Sequence, residues 1–254
     1  MAKIVVFDSG LGSLSIIWAM QDLFKSEIIY FADQRNYPYG KRSQALLYKI
    51  IIKSIKLLEE QFSPDIIVVA SNTPSLMFNL SSRKIIDVKP PLSQAKKVSK
   101  SKHIAILATK NAMKSKGLNK YIEKNNLFKS FKFFVINASE LVELVESGKF
   151  ITNKNYCKKI IKNILDQILH QHPIDTITLS STHLPFLKLL LEKEYPKIEF
   201  IDPGHIVANK IFLKIKNKQS KRNSLKIFTS GDTKEFHNKL NKLRIRNKVN
   251  FLSV

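Results

Sequence analysis

Asp65-Ile66-Ile67-Val68-Val69-Ala70-Ser71-Asn72-Thr73 decides the fold, because the chain carries the same layout a second time as Asp175-Thr176-Ile177-Thr178-Leu179-Ser180-Ser181-Thr182-His183. Each copy runs from an acidic residue through a strand-length, β-branched stretch to a polar, serine-bearing exit. Apolar runs that barely alternate are the mark of parallel strands covered on both faces. Working outward, Ile4 to Phe7 and Ile28 to Phe31 precede the first copy, with Ile66 to Ala70 as its own strand. His103 to Leu107 and Phe133 to Ile136 precede the second, whose strand is Thr176 to Leu179, and Ile198 to Ile201 follows it. Lys3 to Ser9 aligns with His103 to Thr109, so the repeat extends beyond the two serine-bearing strands.

Helical patterns fill the spaces between strands. Leu47, Ile50, Ile51, Ile55 and Leu58 fall on one helical face, with Lys49, Lys53, Lys56, Glu59 and Glu60 on the other. From Asn153 to His170 the apolar face is Cys157, Ile160, Ile161, Ile164 and Ile168, which makes Cys157 a small core residue. Strand, helix and strand in succession give the α/β class. Two similar lobes are expected, each a mainly parallel sheet flanked by helices, related by a pseudo-two-fold with the site in the cleft between them. The basic connector Lys96 to Lys102 divides them, with residues 1–98 and 206–254 in the first lobe and 99–205 in the second.

Composition narrows the function. The 254 residues are 44% hydrophobic and 25% charged, with 7 Gly and 9 Pro, a balance that excludes disordered and collagen-like chains. A single Cys excludes a disulfide framework and a cysteine-rich zinc site. No apolar run reaches membrane-span length and Met1 to Asp8 reads as a strand, so a soluble cytoplasmic protein is expected. The net charge of +23 attracts anions, but the basic excess is almost all Lys. Bidentate recognition of bases and phosphates favours Arg, which argues against nucleic acid as the main partner.

In parallel α/β sheets ligands bind beyond the carboxyl ends of the strands, which draws Asp8-Ser9-Gly10, Ser71-Asn72-Thr73 and Ser181-Thr182-His183 to one kind of place. Gly10 and Gly12 flank a strand-to-helix turn, but Ser15 stands where a dinucleotide fingerprint needs its third glycine. With Ser9 and Ser13, that turn still offers backbone donors to a carboxylate or phosphate. Tyr37-Pro38-Tyr39-Gly40 reads as a rigid turn. Taken singly, His183 is an interior or capping histidine, whereas Asp8 at a strand end needs a partner or a purpose. His183 lies too near Ser181 in sequence to serve it as a hydrolase base.

Asp8-Ser9-Gly10-Leu11-Gly12, Tyr37-Pro38-Tyr39-Gly40, Ala70-Ser71-Asn72-Thr73, Val145-Glu146-Ser147-Gly148, Thr182-His183-Leu184-Pro185 and Ile201-Asp202-Pro203-Gly204 stand in the order and spacing of glutamate racemases. The chain resembles that family, within the aspartate/glutamate racemase superfamily, from its first strand to Ser230-Gly231-Asp232. The resemblance implies two α/β lobes, the first completed by the C-terminal segment. It also implies no cofactor, no metal and two-base transfer of the α-proton of glutamate by a pair of thiols. Both thiol positions are serine here, Ser71 and Ser181. Asp8 and His183, which assist the thiols in the family, persist. So do the positions that contact substrate: Ser9, Tyr39, Gly40, Asn72, Thr73, Thr109, Glu146 and Thr182.

A thiol titrates near ~8.5 and can be tuned to a thiolate, whereas an alkyl hydroxyl stays protonated at neutral pH. Three readings follow: a racemase site impaired by the loss of its thiols, a non-catalytic binder of acidic amino acids, and an isomerase or decarboxylase relative that uses Asp8 and His183 directly. A small acidic amino acid, glutamate or aspartate, is the expected partner, with no membrane partner and a homodimer kept among the expectations. D-Glutamate supply for cell-wall peptidoglycan is the pathway that the resemblance implies.

Overall fold

The computed structural model describes residues 2–215, 218 and 220–254. Met1 lies outside them. The chain forms two compact units, Met1–Val88 with Gly204–Val254, and Lys89–Pro203.

In the first unit, β1 (Lys3–Asp8), β2 (Glu27–Ala32), β3 (Ile66–Val69) and β4 (Ile85–Asp87) share an all-parallel sheet with two strands from the end of the chain. The second unit holds β5 (His103–Ala108), β6 (Lys132–Asn137), β7 (Thr176–Leu179) and β8 (Glu199–Ile201) in another parallel sheet. The chain then returns to the first unit for β9 (Ser224–Thr229) and β10 (Val249–Phe251). The sheet orders are β10-β9-β2-β1-β3-β4 and β6-β5-β7-β8, so the second sheet repeats the topology of β2-β1-β3-β4 strand for strand.

Each sheet is held by a core assembled from the expected faces. Val5, Phe7, Ile29, Phe31, Ile67 and Val69 pack with Leu47, Ile50, Ile51, Ile55 and Leu58 of the helix Gln44–Phe62. In the second unit Cys157, Ile161 and Leu165 of the helix Lys154–Gln171 pack on Ala105, Leu107, Ile177 and Leu179, with Ile160, Ile164 and Ile168 at the margin. Burial pushes the Cys157 thiol above its ordinary pKa, as suits a packing residue.

The paired acids of the repeat do matching structural work. The Asp65 carboxylate, just before β3, accepts from the Lys3 backbone N–H at 3.0 Å and from Lys218 Nζ at 2.7 Å. Asp175, just before β7, accepts from the N–H groups of Lys100 and Ser101 at 2.7 and 2.6 Å, and from the Ser99 and Thr176 hydroxyls at 2.6 and 2.9 Å. Each acid therefore ties the start of one central strand to the segment entering the other.

The connector differs from its expected form. Lys96 and Lys97 belong to the helix Leu92–Val98, which packs on β7 and β8 and so travels with the second unit. The chain divides at 88/89 and 203/204, where the sequence places 98/99 and 205/206. The third strand also stops at Val69, one residue short, as Ala70 begins the turn towards Ser71.

Candidate active site

The chain runs from β1 out to β2 on one side and comes back to β3 on the other, so β1 and β3 flank the point where the sheet changes direction. At such a point of a parallel sheet, loops leaving the carboxyl ends run apart, and ligands bind between them. The same point in the second unit lies between β5 and β7. Asp8 and Ser71 end or follow the strands at the first point, and Thr109 and Ser181 follow those at the second.

In the first unit Asp8 is buried and its carboxylate accepts from the backbone N–H of Gly10. That contact occupies one of the donors the glycine turn was expected to offer an anion. The Gly10 carbonyl accepts from the Tyr30 hydroxyl at 2.5 Å. Ser9 is held at two points: its Oγ accepts from the Tyr39 N–H at 3.4 Å and its carbonyl accepts from Gln34 Nε2 at 2.7 Å. Ser13 begins the next helix with its hydroxyl buried and without a hydrogen-bond partner.

Tyr39 and Gly40 lie in a short helical turn, Tyr39–Lys41, after a cis Tyr37–Pro38 peptide. The Tyr39 hydroxyl donates to Asp33 Oδ2 at 2.9 Å. Burial, reinforced by the adjacent Asp33 carboxylate and by Asp8, holds the Tyr39 phenol well above its ordinary pKa. It therefore stays a neutral donor.

Ser71 precedes the helix Asn72–Met77 and is half-buried. Its carbonyl accepts from Ser75 Oγ at 2.7 Å, and that oxygen accepts from the Val88 N–H at 3.2 Å. Asn72 Nδ2 donates to the Val88 carbonyl at 3.0 Å, so the segment after β4 clamps the Ser71 turn. Asn72 Oδ1 is buried with no hydrogen-bond partner, an orphan acceptor of the kind that ligand sites carry. Thr73 is buried beside it in sequence.

In the second unit Thr109 caps the short helix Lys110–Met113, accepting from the Ala112 N–H at 3.4 Å. Ser181, Thr182 and His183 leave β7 as a buried turn. His183 Nε2 lies 2.6 Å from Glu146 Oε1, with both side chains almost wholly enclosed. Against an ionised carboxylate, which can only accept, Nε2 is the donor and Nδ1 keeps the lone pair of the neutral ring. Glu146 ends the helix Ser139–Glu146, and Gly148 at φ 74° closes that helix by donating its N–H to the Val145 carbonyl at 3.0 Å. The resemblance makes Glu146 a substrate contact, and its Oε1 also lies against His183 Nε2.

The Ser71 and Ser181 hydroxyls make no hydrogen bond to any described residue. Neither has a base, consistent with the sequence argument against a serine hydrolase. The sequence missed Asp33, which is fully buried and accepts from Tyr39, Ser230 and Asn36. Its signal was a carboxylate directly after an apolar strand, the same feature that singled out Asp8. Among the described residues no cluster of three His, Cys, Asp or Glu is placed to hold a metal ion, and no helix is long and apolar enough to cross a membrane.

No family profile matches the sequence. Individual proteins do. The chain is 32% identical over 228 residues to a glutamate racemase of Buchnera aphidicola, covering 87% of this chain and 88% of that protein. It is 32% identical over 215 residues to a glutamate racemase of Actinobacillus pleuropneumoniae, covering 82% and 80%. Among solved structures, a glutamate racemase isoform of Bacillus anthracis superposes with a TM-score of 0.84 at 24% identity, over 100% of this chain and 97% of that one. The Francisella tularensis glutamate racemase, solved with D-glutamate, gives 0.82 at 22% identity, over 100% and 97%. The solved structures match the two-sheet fold, and the curated relatives are 32% identical over more than four fifths of the chain, so the chain belongs to the glutamate racemase family.

Proposed function

We propose that this protein binds glutamate in the site of its family and that its racemisation is reduced to a trace. One observation carries the proposal: at matching turns beyond β3 and β7 the chain places hydroxyls, Ser71 and Ser181, with no hydrogen bond to a base. Racemisation by two bases removes the α-proton on one face and returns a proton on the other. A cysteine near ~8.5 supplies a few per cent thiolate at pH 7 for the first step. A serine hydroxyl needs a partner to deprotonate it, and the contacts around it supply none. Asp8 accepts from Gly10 and His183 Nε2 pairs with Glu146, and neither Asp8 nor His183 is hydrogen-bonded to the Ser71 or Ser181 hydroxyl.

Binding draws on different groups. The Tyr39 hydroxyl, which gives its one proton to Asp33 and keeps a lone pair to accept with, the orphan Asn72 Oδ1 and the polar turn Ser181-Thr182-His183 support recognition of an amino acid by groups that do not have to ionise. The Francisella tularensis relative solved with D-glutamate and the Escherichia coli relative solved with L-glutamate support the choice of ligand. The positive charge of the chain favours an anionic amino acid, and a marked salt dependence of affinity is its signature. In a walled bacterium the product, D-glutamate, enters peptidoglycan.

The test is calorimetry with L- and D-glutamate together with α-proton exchange in deuterated water, on this chain and on Ser71→Cys/Ser181→Cys. Binding without exchange, with exchange restored in the double variant, is the expected result. Robust exchange by the unaltered chain overturns the impairment. If that exchange is then abolished by Asp8→Asn or His183→Asn, those two residues take the acid/base roles.

A further inference from the structure

We infer that the Ser230-Gly231 turn is a positioning element of the glutamate site, holding Tyr39 through Asp33 and Ser9 through Gln34. It deepens the function proposed above and rests on it. The turn is remote in sequence from both residues, yet β9 pairs with β2 in a register that sets Thr229 opposite Ala32. The next residues, Ser230 and Asp33, then emerge side by side beyond the sheet.

Two contact paths leave this turn. In the first, Ser230 Oγ donates to Asp33 Oδ1 at 2.8 Å and accepts from the Arg35 N–H at 3.0 Å, while Asp33 Oδ2 accepts from the Tyr39 hydroxyl at 2.9 Å. Asp33 is fully buried, so its carboxylate depends on such donors and locks them in place. In the second, Gly231 lies so near the Gln34 side chain that a Cβ on it would sit 2.7 Å from Gln34 Cβ. Gln34 Nε2 in turn donates to the Ser9 carbonyl at 2.7 Å. The two paths rejoin where the Tyr39 N–H donates to Ser9 Oγ. A hydroxyl and a missing side chain on the returning segment thus fix two residues that the family resemblance assigns to substrate contact.

The substitution that isolates the second path is Gly231→Ala, which displaces Gln34 without touching the site. It is expected to weaken glutamate binding about tenfold, the worth of one well-placed hydrogen bond, and to shift the amide resonances of Ser9, Gly10 and Tyr39. Gln34→Gly removes both the clashing Cβ and the amide, and is expected to cost a similar factor. Adding Gly231→Ala to Gln34→Gly should then change nothing further. A purely structural role would lower the unfolding temperature and leave the affinity of the folded protein alone. Ser230→Ala adds no atoms, keeps the test open if Gly231→Ala fails to fold, and should move the Tyr39 resonances. Unchanged affinity and unshifted Ser9 and Tyr39 amides overturn the inference, as do fully additive effects of Gly231→Ala and Gln34→Gly. If the parent chain does not bind glutamate, the proposed function fails on its own, and the amide shifts of the free protein still decide whether the turn positions these residues.

Discussion

Removing the carboxylate of Asp175 tests the frame that carries Ser181. Asp175 accepts four hydrogen bonds at 2.6 to 2.9 Å, from Ser99, Lys100, Ser101 and Thr176, and so joins the approach to β5 to the start of β7. Bonds to a charged acceptor are worth about 1.5–3 kcal/mol each where water is excluded. Asp175 is only half-buried, and in Asp175→Ala the freed donors regain water, so the net cost should be that of one such bond or slightly more, about 2–3 kcal/mol. Burial raises the pKa of this carboxyl, but the Ser101 and Lys100 N–H groups and the Ser99 and Thr176 hydroxyls outweigh it and hold the value below that of a free aspartate. With the folded pKa depressed, the unfolded chain binds more protons between the two values, so stability falls as the pH falls. The carboxylate's contribution is complete above the unfolded value near ~3.9 and drains away as the pH drops through the folded value. Urea unfolding followed by circular dichroism, at pH 7 and in steps below pH 4.5, should show a gap between parent and Asp175→Ala that is constant near neutrality and narrows in acid. A gap below about 0.5 kcal/mol at pH 7, or one that persists undiminished in strong acid, refutes the reasoning. Asp65→Ala, at the matching place in the first unit with two donors, should cost less.

Restoring one thiol at a time, as Ser71→Cys or Ser181→Cys, should allow α-proton exchange of one glutamate enantiomer each, opposite in the two variants, because each position serves one face; exchange of both enantiomers by a single variant would sink the two-face assignment. Tyr39→Phe deprives the buried Asp33 of a donor and should cost about 1–2 kcal/mol in urea unfolding, with weaker glutamate binding. Gly148→Ala forces an alanine to φ 74° at the end of the helix that carries Glu146, and should destabilise the protein by about 1–2 kcal/mol; a neutral result would mean that the turn relaxes freely.

The parts of the fold that the sequence displays are those with dense β-branched runs. Ile4 to Phe7 and Ile66 to Val69 could belong to nothing but covered strands, and the repeat with Asp175 announced a second sheet of the same plan. Three strands escaped. Ile85–Asp87 and Val249–Phe251 are three residues each, too short for any period to show, and Ser224–Thr229 mixes Lys226 into an edge-like pattern. The candidate site was legible where a polar residue ends such a run or follows it within two positions, as at Asp8, Ser71 and Ser181. It was illegible where a contact comes from afar: nothing in the sequence pairs Glu146 with His183, Val88 with Asn72, or Ser230 with Asp33, since those meetings depend on sheet order and register. The family resemblance named Glu146 as a substrate contact and gave no sign of its contact with His183, because a motif records which residue stands in a place and not which atom it touches.

The return of the chain to its first sheet has a bearing on biosynthesis. A ribosome delivers residues in order, and domains generally fold as units while the chain emerges. The second unit is one continuous stretch, Lys89–Pro203, and has every strand of its sheet as soon as it leaves the exit tunnel. The first unit begins earlier and is completed later. Until β9 arrives, β2 is an open sheet edge and Asp33 lacks Ser230, although Tyr39 and Ser9 have long been made. Exposed edges invite mispairing, so the nascent protein carries its aggregation risk in the half that starts first. A truncation or stalled translation before Ser224 would leave a finished second unit tethered to an unfinished first one, and chaperone demand should track that interval and not the total length of the chain.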